Sequence, residues 1–231
     1  MNINEEKYTV EILSNKKETK GMHLIRLAKP ADFTHIPGQY IKVSVIDVDF
    51  FSYLTISSHP DENYIELLVN TGGFNACKIC ALPVGSSLHI SPALGNGFSA
   101  SKFTDKTIYL VTHGSGMSAI KPLIEELRKN RHHFGQISLI YGVRTPNDFP
   151  FKPLIRNWMG SVEVFDIISK DPHDLKAWTG EIGHVQHVLQ KLQPKPDNAI
   201  AVIVGSDEME SEVTQMFKDF GFSTNQILKN H

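Results

Sequence analysis

A glycine-rich turn between a strand-like and a helix-like segment is the feature that most constrains the fold. The apolar run 107–112 is typical of a short buried strand, and the turn 113–119 follows with glycines at Gly114 and Gly116. From Ala119 onward, apolar residues recur at helical spacing. This order leaves backbone N–H groups free at a helix N-terminus, where they can hold a phosphate. The pattern therefore favours a nucleotide phosphate site over a purely structural turn.

The next predicted strand ends without the acidic residue of simple dehydrogenases. Those folds place Asp or Glu about 20 residues past the glycine turn, where it binds a ribose hydroxyl. Here the strand 136–141 runs into Gly142-Val143-Arg144-Thr145. A guanidinium at Arg144 suits a phosphate or a ribose, and a solvated loop arginine is the alternative. The pattern thus indicates a nucleotide-binding α/β unit of a different lineage from the simple dehydrogenases. It disfavours a flavin-independent dehydrogenase.

The spacing of apolar residues changes near residue 102. Residues 1–102 hold short alternating segments separated by glycine and proline, near 8–13, 22–27, 40–45, 52–57, 64–69 and 87–90. These predict a small antiparallel β-barrel. In residues 103–231, strands near 107–112, 136–141, 161–168 and 199–204 alternate with helices near 117–130, 149–157, 183–192 and 207–220. This alternation predicts a parallel α/β sheet, so we expect two domains, 1–102 and 103–231.

Composition narrows the classes of partner. The 231 residues carry a net charge of −2 and are 41% hydrophobic, which gives no electrostatic signal for nucleic acid or a membrane surface. The N-terminal residues lack the apolar core of a signal peptide. The longest aliphatic run, 199–204, is too short to span a bilayer. We expect a cytoplasmic protein with no nucleic-acid or membrane partner.

Cysteines and histidines raise the question of a metal site. Cys77 and Cys80 form a C-x-x-C at the start of a predicted helix, but a metal would need two further ligands. Two interpretations stay open for them, small helix residues or a reversible disulfide. The pairs His132-His133 and His184 with His187 lack a carboxylate partner. We predict no metal site.

Segments along nearly the whole chain resemble, in order, those of the ferredoxin–NADP reductase superfamily. The barrel matches are the strand opener 37–40, the flavin-contacting strand 53–58, the pyrophosphate loop 72–75 and the closing segment 92–98. The α/β matches are the nicotinamide-nucleotide loop 113–119, the ribose-side strand end 141–145 and the last nicotinamide-side loop 204–209. The chain is similar to the plant "fruit protein" branch at 95–98 and 227–230, and to the electron-transfer subunit of dihydroorotate dehydrogenase, whose terminal cysteine cluster it lacks.

The resemblance implies a flavoenzyme. It would pass hydride from NAD(P)H to FAD, and electrons on to an acceptor such as an iron–sulfur protein or an oxygenase component. Implied flavin contacts are Tyr53, Leu54, Thr55, Gly72, Gly73, Phe74, Asn75, Gly95 and Gly97. Implied coenzyme contacts are Gly114, Ser115, Gly116, Met117, Arg144, Thr145, Gly205, Ser206 and Met209.

Two residues are implied to act at the reacting atoms. Thr55 would hydrogen-bond the flavin N5, and His231 would lie near the nicotinamide-facing side of the flavin. The alternatives are a purely packing role for Thr55 and a simple turn at Gly95 and Gly97. His113 replaces a small residue of the family pattern, and we expect it to be a satisfied polar residue rather than a catalyst.

The chain departs from the family where flavin contacts are expected. The family's arginine and tyrosine positions read Ser52 and Leu54, and a usual cysteine reads Val204. Strand alternation places Tyr53 on the face opposite to Ser52 and Leu54. Loss of the arginine removes about 1.5–3 kcal/mol, or roughly 10- to 150-fold in affinity, so we expect weak FAD binding. The rival hypothesis is a cofactor-depleted regulatory or scaffolding subunit.

Overall fold

The computed structural model describes residues 8–46, 50–170 and 178–230. Within these ranges the strands form two six-stranded sheets, one from the first half of the chain and one from the second. This confirms the predicted fold class, an antiparallel barrel followed by a parallel α/β sheet. The domain division at residue 102 stays a prediction.

The first sheet closes into a barrel. Its strands are β1 (Tyr8–Thr19), β2 (Met22–Ala28), β3 (Tyr40–Val45), β4 (Phe51–Thr55), β5 (Tyr64–Asn70) and β6 (Ser87–Ile90). They pair antiparallel in the order β4-β3-β6-β1-β2-β5. The two end strands meet through a bridge between Ile56 and Leu67, and the Ser57 N–H donates to Glu66 O at 2.7 Å. The segment that follows β4 therefore closes the barrel against β5.

The short helix α1 (Phe74–Cys80) packs on the barrel core through Ile79 and Cys80. Both cysteine thiols are free; Cys77 is exposed and Cys80 is buried. Burial raises the pKa of the Cys80 thiol to about 11, so this thiol stays protonated and unreactive near neutral pH. This environment suits small helix residues.

The second sheet is parallel and carries the remaining helices of the described ranges. The order of elements is β7 (Thr107–His113), α2 (Met117–Lys129), β8 (Ile137–Val143), α3 (Lys152–Trp158), β9 (Glu163–Ile168), β10 (Glu181–Ile182), α4 (Val185–Leu192), β11 (Ala199–Val204), α5 (Asp207–Asp219) and β12 (Ile227–Lys229). The strands are ordered β10-β9-β8-β7-β11-β12. All the carboxyl ends therefore meet at one edge, which faces the barrel.

Two helices begin later than the sequence pattern predicts, for local reasons. α3 begins at Lys152, after Phe151 in the left-handed region, with proline in its first turn. α4 begins at Val185 because Gly183, with φ of 138°, lies outside the helical region. The two-residue strand β10 was not predicted, since two residues carry no periodicity.

The barrel and the α/β unit share apolar contacts. Met22, Leu68 and Phe98 from the first half belong to the same buried cluster as Ile120 and Phe151 from the second half. This shared burial joins the two units over the cleft between them. Among the described residues, no helix has the length and apolar character needed to cross a membrane.

Candidate functional site: a cleft between the barrel and the parallel sheet

The larger cavity, about 760 Å³, lies at the carboxyl ends of the parallel strands. Its lining includes His113 and Gly114 after β7, Arg144 after β8, the starts of α4 and α5, and Thr19, Gly21, Met22 and Asn70 of the barrel. Ligands of open α/β sheets bind at this edge. The contribution of His184, Val185, Gln186, Glu208 and Glu212 was missed from sequence; a helix start after a parallel strand was the available signal.

A smaller cavity, about 420 Å³, brings the barrel onto the nucleotide loop. Thr55 at the end of β4 lines it together with Ser115, Gly116, the loop 204–207 and Asn230. Residues 175 positions apart in the chain thus share one wall. His231, the other residue implied at the reacting atoms, lies outside the described residues.

His113 lines both cavities. Its Nε2 accepts the Ser206 N–H at 3.0 Å and lies 3.3 Å from Ser206 Oγ. Burial lowers the pKa of the His113 imidazole, so the ring is neutral near pH 7, in keeping with its role as an acceptor. The ring bridges the loops after β7 and β11 where the two cavities meet.

Glycine suits the two positions of the nucleotide loop for different physical reasons. Gly114 has a φ of 52°, and a Cβ there would point into open space; its carbonyl accepts the Tyr141 hydroxyl at 2.9 Å. A Cβ at Gly116 would instead collide with Thr112 Oγ1 and Val204 O. Gly116 is therefore required by the close approach of β7 and β11, whereas Gly114 leaves its backbone open to the cleft.

The strand end after β8 carries a cation and a carboxylate. Arg144 and Asp148 both line the larger cavity. Asp148 Oδ2 accepts the Thr145 N–H at 3.0 Å and the Thr145 hydroxyl at 2.7 Å. Sequence reasoning missed Asp148 because it looked for acid only at the strand terminus. With Asp148 engaged by Thr145, Arg144 is the side chain placed to meet an anion here.

On the barrel, the strand register decides which side chains of β4 face the cleft. In the β3–β4 pairing, Thr55 lies opposite Tyr40 and Tyr53 opposite Lys42, so these side chains share the outer face. Leu54 packs against the barrel core. The alternation expected for Tyr53 is confirmed, and it places the Tyr53 ring on the same face as Thr55.

Three exposed aromatic rings, which we call the aromatic surface, lie on β4 and at the start of α1: Phe51, Tyr53 and Phe74 are 45%, 53% and 74% exposed. Asn75 Nδ2 donates to Phe51 O at 3.0 Å, which ties α1 to β4. Lys78 Nζ is 4.2 Å from the centroid of the Phe74 ring. Clustered exposed rings mark a binding surface, and a cation stands next to this one.

The other implied contact residues have mainly backbone or packing roles in the structure. Gly97, with a φ of 58°, would collide with Ile36 and Pro37 O if it carried a Cβ. Met117 is fully buried in the core cluster. Gly205 lets Met209 and His113 approach its backbone closely. Gly95 and Gly97 thus support turns, Gly72 and Gly73 start α1, and Met117 lines neither cavity.

No cluster of three or more metal-ligating side chains occurs in the part of the chain that the structure describes.

Comparison with known proteins adds sequence and structural relatives. The family model of the oxidoreductase NAD-binding domain matches residues 110–215. The sulfhydrogenase 1 subunit gamma of Pyrococcus furiosus is 22% identical over 218 residues, 91% of this chain and 73% of that protein. The fruit protein pKIWI502 of Actinidia deliciosa is 26% identical over 210 residues, 83% of this chain and 65% of that protein.

A solved structure decides the fold. A ferredoxin NADP⁺ reductase from Neisseria gonorrhoeae, with bound FAD and NADP, superposes with a TM-score of 0.83 at 17% identity, over 96% of this chain and 97% of that one. The chain has the ferredoxin–NADP reductase fold. The fold implied by the resemblance is therefore confirmed, and residues 110–215 match the model of the oxidoreductase NAD-binding domain. Most residues that line the larger cavity lie in this matched range, and the rest belong to the barrel.

Proposed function

We propose that the protein is an FAD-dependent NAD(P)H oxidoreductase, which passes hydride from NAD(P)H to FAD and electrons on to an acceptor. One observation carries the proposal: Thr55 of the barrel shares the small cavity with Ser115, Gly116 and the loop 204–207. A ring held against the outer face of β4 and a nicotinamide held by these loops would meet in that cavity.

The coenzyme assignment rests on the α/β unit. The open backbone at Gly114 and Ser115 offers N–H groups to a pyrophosphate. Arg144 supplies a cation for a ribose or a 2′-phosphate. Gly205, Ser206 and Met209 border the nicotinamide end, where Gly205 keeps that loop close to His113. Met117 supports the loop from the core.

The residues on the barrel fit FAD, although the family's arginine is absent. The aromatic surface offers rings for stacking, in place of the tyrosine replaced by Leu54. Lys78 offers a cation beside Phe74 on α1, the helix that begins directly after Gly73. When bound, FAD would supply a two-electron acceptor that can release electrons singly.

The protein's own contribution is orientation and exclusion of water. Thr55 lines the small cavity, and its hydroxyl is our candidate for the hydrogen bond to the flavin N5. Asn230 closes the cavity from the last strand, and its Oδ1 would be 3.4 Å from a Cβ at Gly38. Because the cofactors carry the chemistry, no acid–base residue is required.

The acceptor follows from the same reasoning. We propose an iron–sulfur protein or an oxygenase component, because reduced flavin can hand on single electrons. We also propose that the protein is cytoplasmic. A second candidate, a cofactor-depleted regulatory or scaffolding subunit, is favoured by Ser52, Leu54 and Val204, which lack the family's charge, aromatic ring and thiol.

Titration of the purified protein with FAD, followed by flavin fluorescence, separates these functions. The reductase predicts saturable binding at micromolar or tighter FAD, and loss of the flavin absorbance when NADH or NADPH is added without oxygen. No binding up to about millimolar FAD, weaker than roughly −4 kcal/mol, would refute the reductase and favour the cofactor-depleted subunit.

A further inference from the structure

A buried lysine crosses from α2 to the barrel next to the small cavity. Lys121 is 7% exposed and its partner Glu66 on β5 is 1% exposed. Lys121 Nζ donates to Ser57 O at 2.8 Å and lies 3.3 Å from Glu66 Oε1 and 3.2 Å from Glu125 Oε1. It also donates to Glu125 Oε2 at 3.3 Å. The buried ammonium, which has three protons and no acceptor, thus has two hydrogen-bond acceptors and the Glu66 carboxylate in ion-pair contact.

The two ends of this contact belong to the two halves of the site. Ser57 follows Thr55 by two residues, and its N–H donates to Glu66 O at 2.7 Å, which fixes the segment on β5. Lys121 lies in the second turn of α2, the helix that begins at Met117 directly after Gly116. The Lys121–Ser57 bond therefore connects the strand that carries Thr55 to the helix that carries the nucleotide loop.

The barrel and the α/β unit are also held together by apolar contacts, which do not involve this lysine. Met22 and Leu68 of the barrel are buried with Ile120 and Leu123 of α2 in one apolar cluster. Apolar burial is non-directional, so it holds the surfaces together without fixing their register. A buried ion pair adds little net stability because desolvation offsets its attraction. The directional hydrogen bonds of Lys121, however, fix the position of α2 relative to the barrel.

We propose that Lys121 is a positioning residue for hydride transfer, which holds the nucleotide loop at a fixed distance from Thr55. This inference rests on the proposed function. In that reaction one hydride leaves NAD(P)H, which is oxidised to NAD(P)⁺, and reduces FAD by two electrons. Transfer needs reacting atoms about 3–3.5 Å apart, and a displacement of about 1 Å costs on the order of 100-fold in rate.

The same helix offers a matched control. Lys129 forms an ion pair with Asp61 of the barrel, and the side chains are 45% and 76% exposed. An exposed pair of this kind adds little. Lys129→Met removes one ammonium from the same helix at a different contact with the barrel, and leaves Ser57 and Glu66 untouched. Lys121→Met removes the buried ammonium, while Glu66 keeps Arg26 Nε at 2.9 Å.

The experiment measures flavin reduction in FAD-loaded protein by stopped-flow absorbance, with saturating NADH or NADPH, whichever reduces faster. For Lys121→Met we expect the limiting rate constant to fall roughly tenfold or more, with the Kd values for FAD and coenzyme within about threefold of the unsubstituted protein. Lys129→Met should change the rate less than about twofold. Lys121→Arg, which keeps a cation, should recover part of the rate.

A second measurement does not depend on turnover. In flavin-free protein, addition of NAD⁺ should slow backbone hydrogen exchange at 54–58 as well as at 113–119, and Lys121→Met should confine the protection to 113–119. If Lys121→Met does not fold, the double variant Lys121→Gln with Glu66→Gln keeps hydrogen-bonding groups and serves instead. A normal rate with normal protection at 54–58 would overturn the positioning role alone. No flavin reduction by the unsubstituted protein would overturn the proposed function, and the positioning role with it.

Discussion

The two sides of the cleft differ in how they are built; we propose that they hold the coenzyme and the flavin, and we call them the coenzyme side and the flavin side. On the parallel sheet, the coenzyme side is made of backbone at strand ends, with Gly114 open and Gly116 packed tightly between β7 and β11. On the barrel, the flavin side is made of side chains on the outer face of β4 and on α1. The glycines of the pattern expected from sequence are present in the first region, where His113 and Val204 depart from it, whereas Ser52 and Leu54 replace its arginine and tyrosine in the second.

This difference has a physical cause. A backbone site requires only that the chain reach the right conformation, so glycine positions preserve it. A side-chain site can change its residues as long as another group reaches the same space. At β4 the tyrosine position is filled by Leu54, which packs inward, while Tyr53 presents a ring on the Thr55 face. Three substitutions test whether the two regions separate in this way, and a fourth tests the histidine between them.

The largest effect is expected from Gly116→Val. The new side chain would collide with Thr112 Oγ1 and Val204 O, so the loop must move, and overpacking costs about 1–3 kcal/mol. The apparent KM for NADH and NADPH should rise at least about tenfold, while FAD binding to the barrel changes little. Steady-state kinetics and FAD titration measure the two effects. Loss of both together would show that the regions do not separate.

Arg144→Ala should act on the coenzyme alone. A guanidinium contact to phosphate contributes about 1.5–3 kcal/mol, so the Kd for NADPH should rise about tenfold or more. The Kd for NADH should rise less, since it has no 2′-phosphate. Competition titrations with both coenzymes measure this. Small and equal changes would make Arg144 a surface residue.

Lys78→Met should act on the flavin alone. Removal of the cation beside Phe74 should weaken FAD binding about three- to tenfold, the equivalent of roughly 0.7–1.4 kcal/mol, and more strongly at low salt. Riboflavin, which lacks the diphosphate, should bind equally to both proteins. Lys16→Met, on an exposed position of β1, is the control. A similar loss for riboflavin would place Lys78 away from the phosphates.

The smallest effect concerns pH. Burial lowers the pKa of His113, so the unfolded state binds the proton more readily. The contribution of neutral His113 to the free energy of unfolding is therefore present above about pH 6.5, the unperturbed histidine pKa. It is lost as the pH falls below that value. Urea unfolding at pH 7.5 and 5.5 should show a smaller decrease for His113→Asn than for the unsubstituted protein. An equal decrease in both would exclude His113 as a contributor.

The sequence predicted elements better than it predicted which side chains line the site. Alternation at 40–45 and 64–69 and helical spacing after Ala119 gave strands and a helix within a residue or two, because burial repeats along each element. Asp148 and Lys121 were missed, since their importance depends on contacts across the fold. Lys121 meets Ser57, 64 positions away, and no local pattern records such a meeting. At Leu54, the sequence shows only that the family's tyrosine is replaced. The structure shows in addition that the Leu54 side chain packs against the barrel core.

The contact from His113 to Ser206 lies where the larger and the smaller cavity meet, since both residues line both cavities. A ligand fragment in the larger cavity and another in the smaller one would occupy the cleft simultaneously. An adenosine-type fragment should therefore compete with coenzyme without displacing a nicotinamide-type fragment. Joined across His113 by a linker of matching length, the two should bind far more tightly than either, because the second contact becomes intramolecular. Inhibitors made by linking two such fragments should therefore bind this cleft.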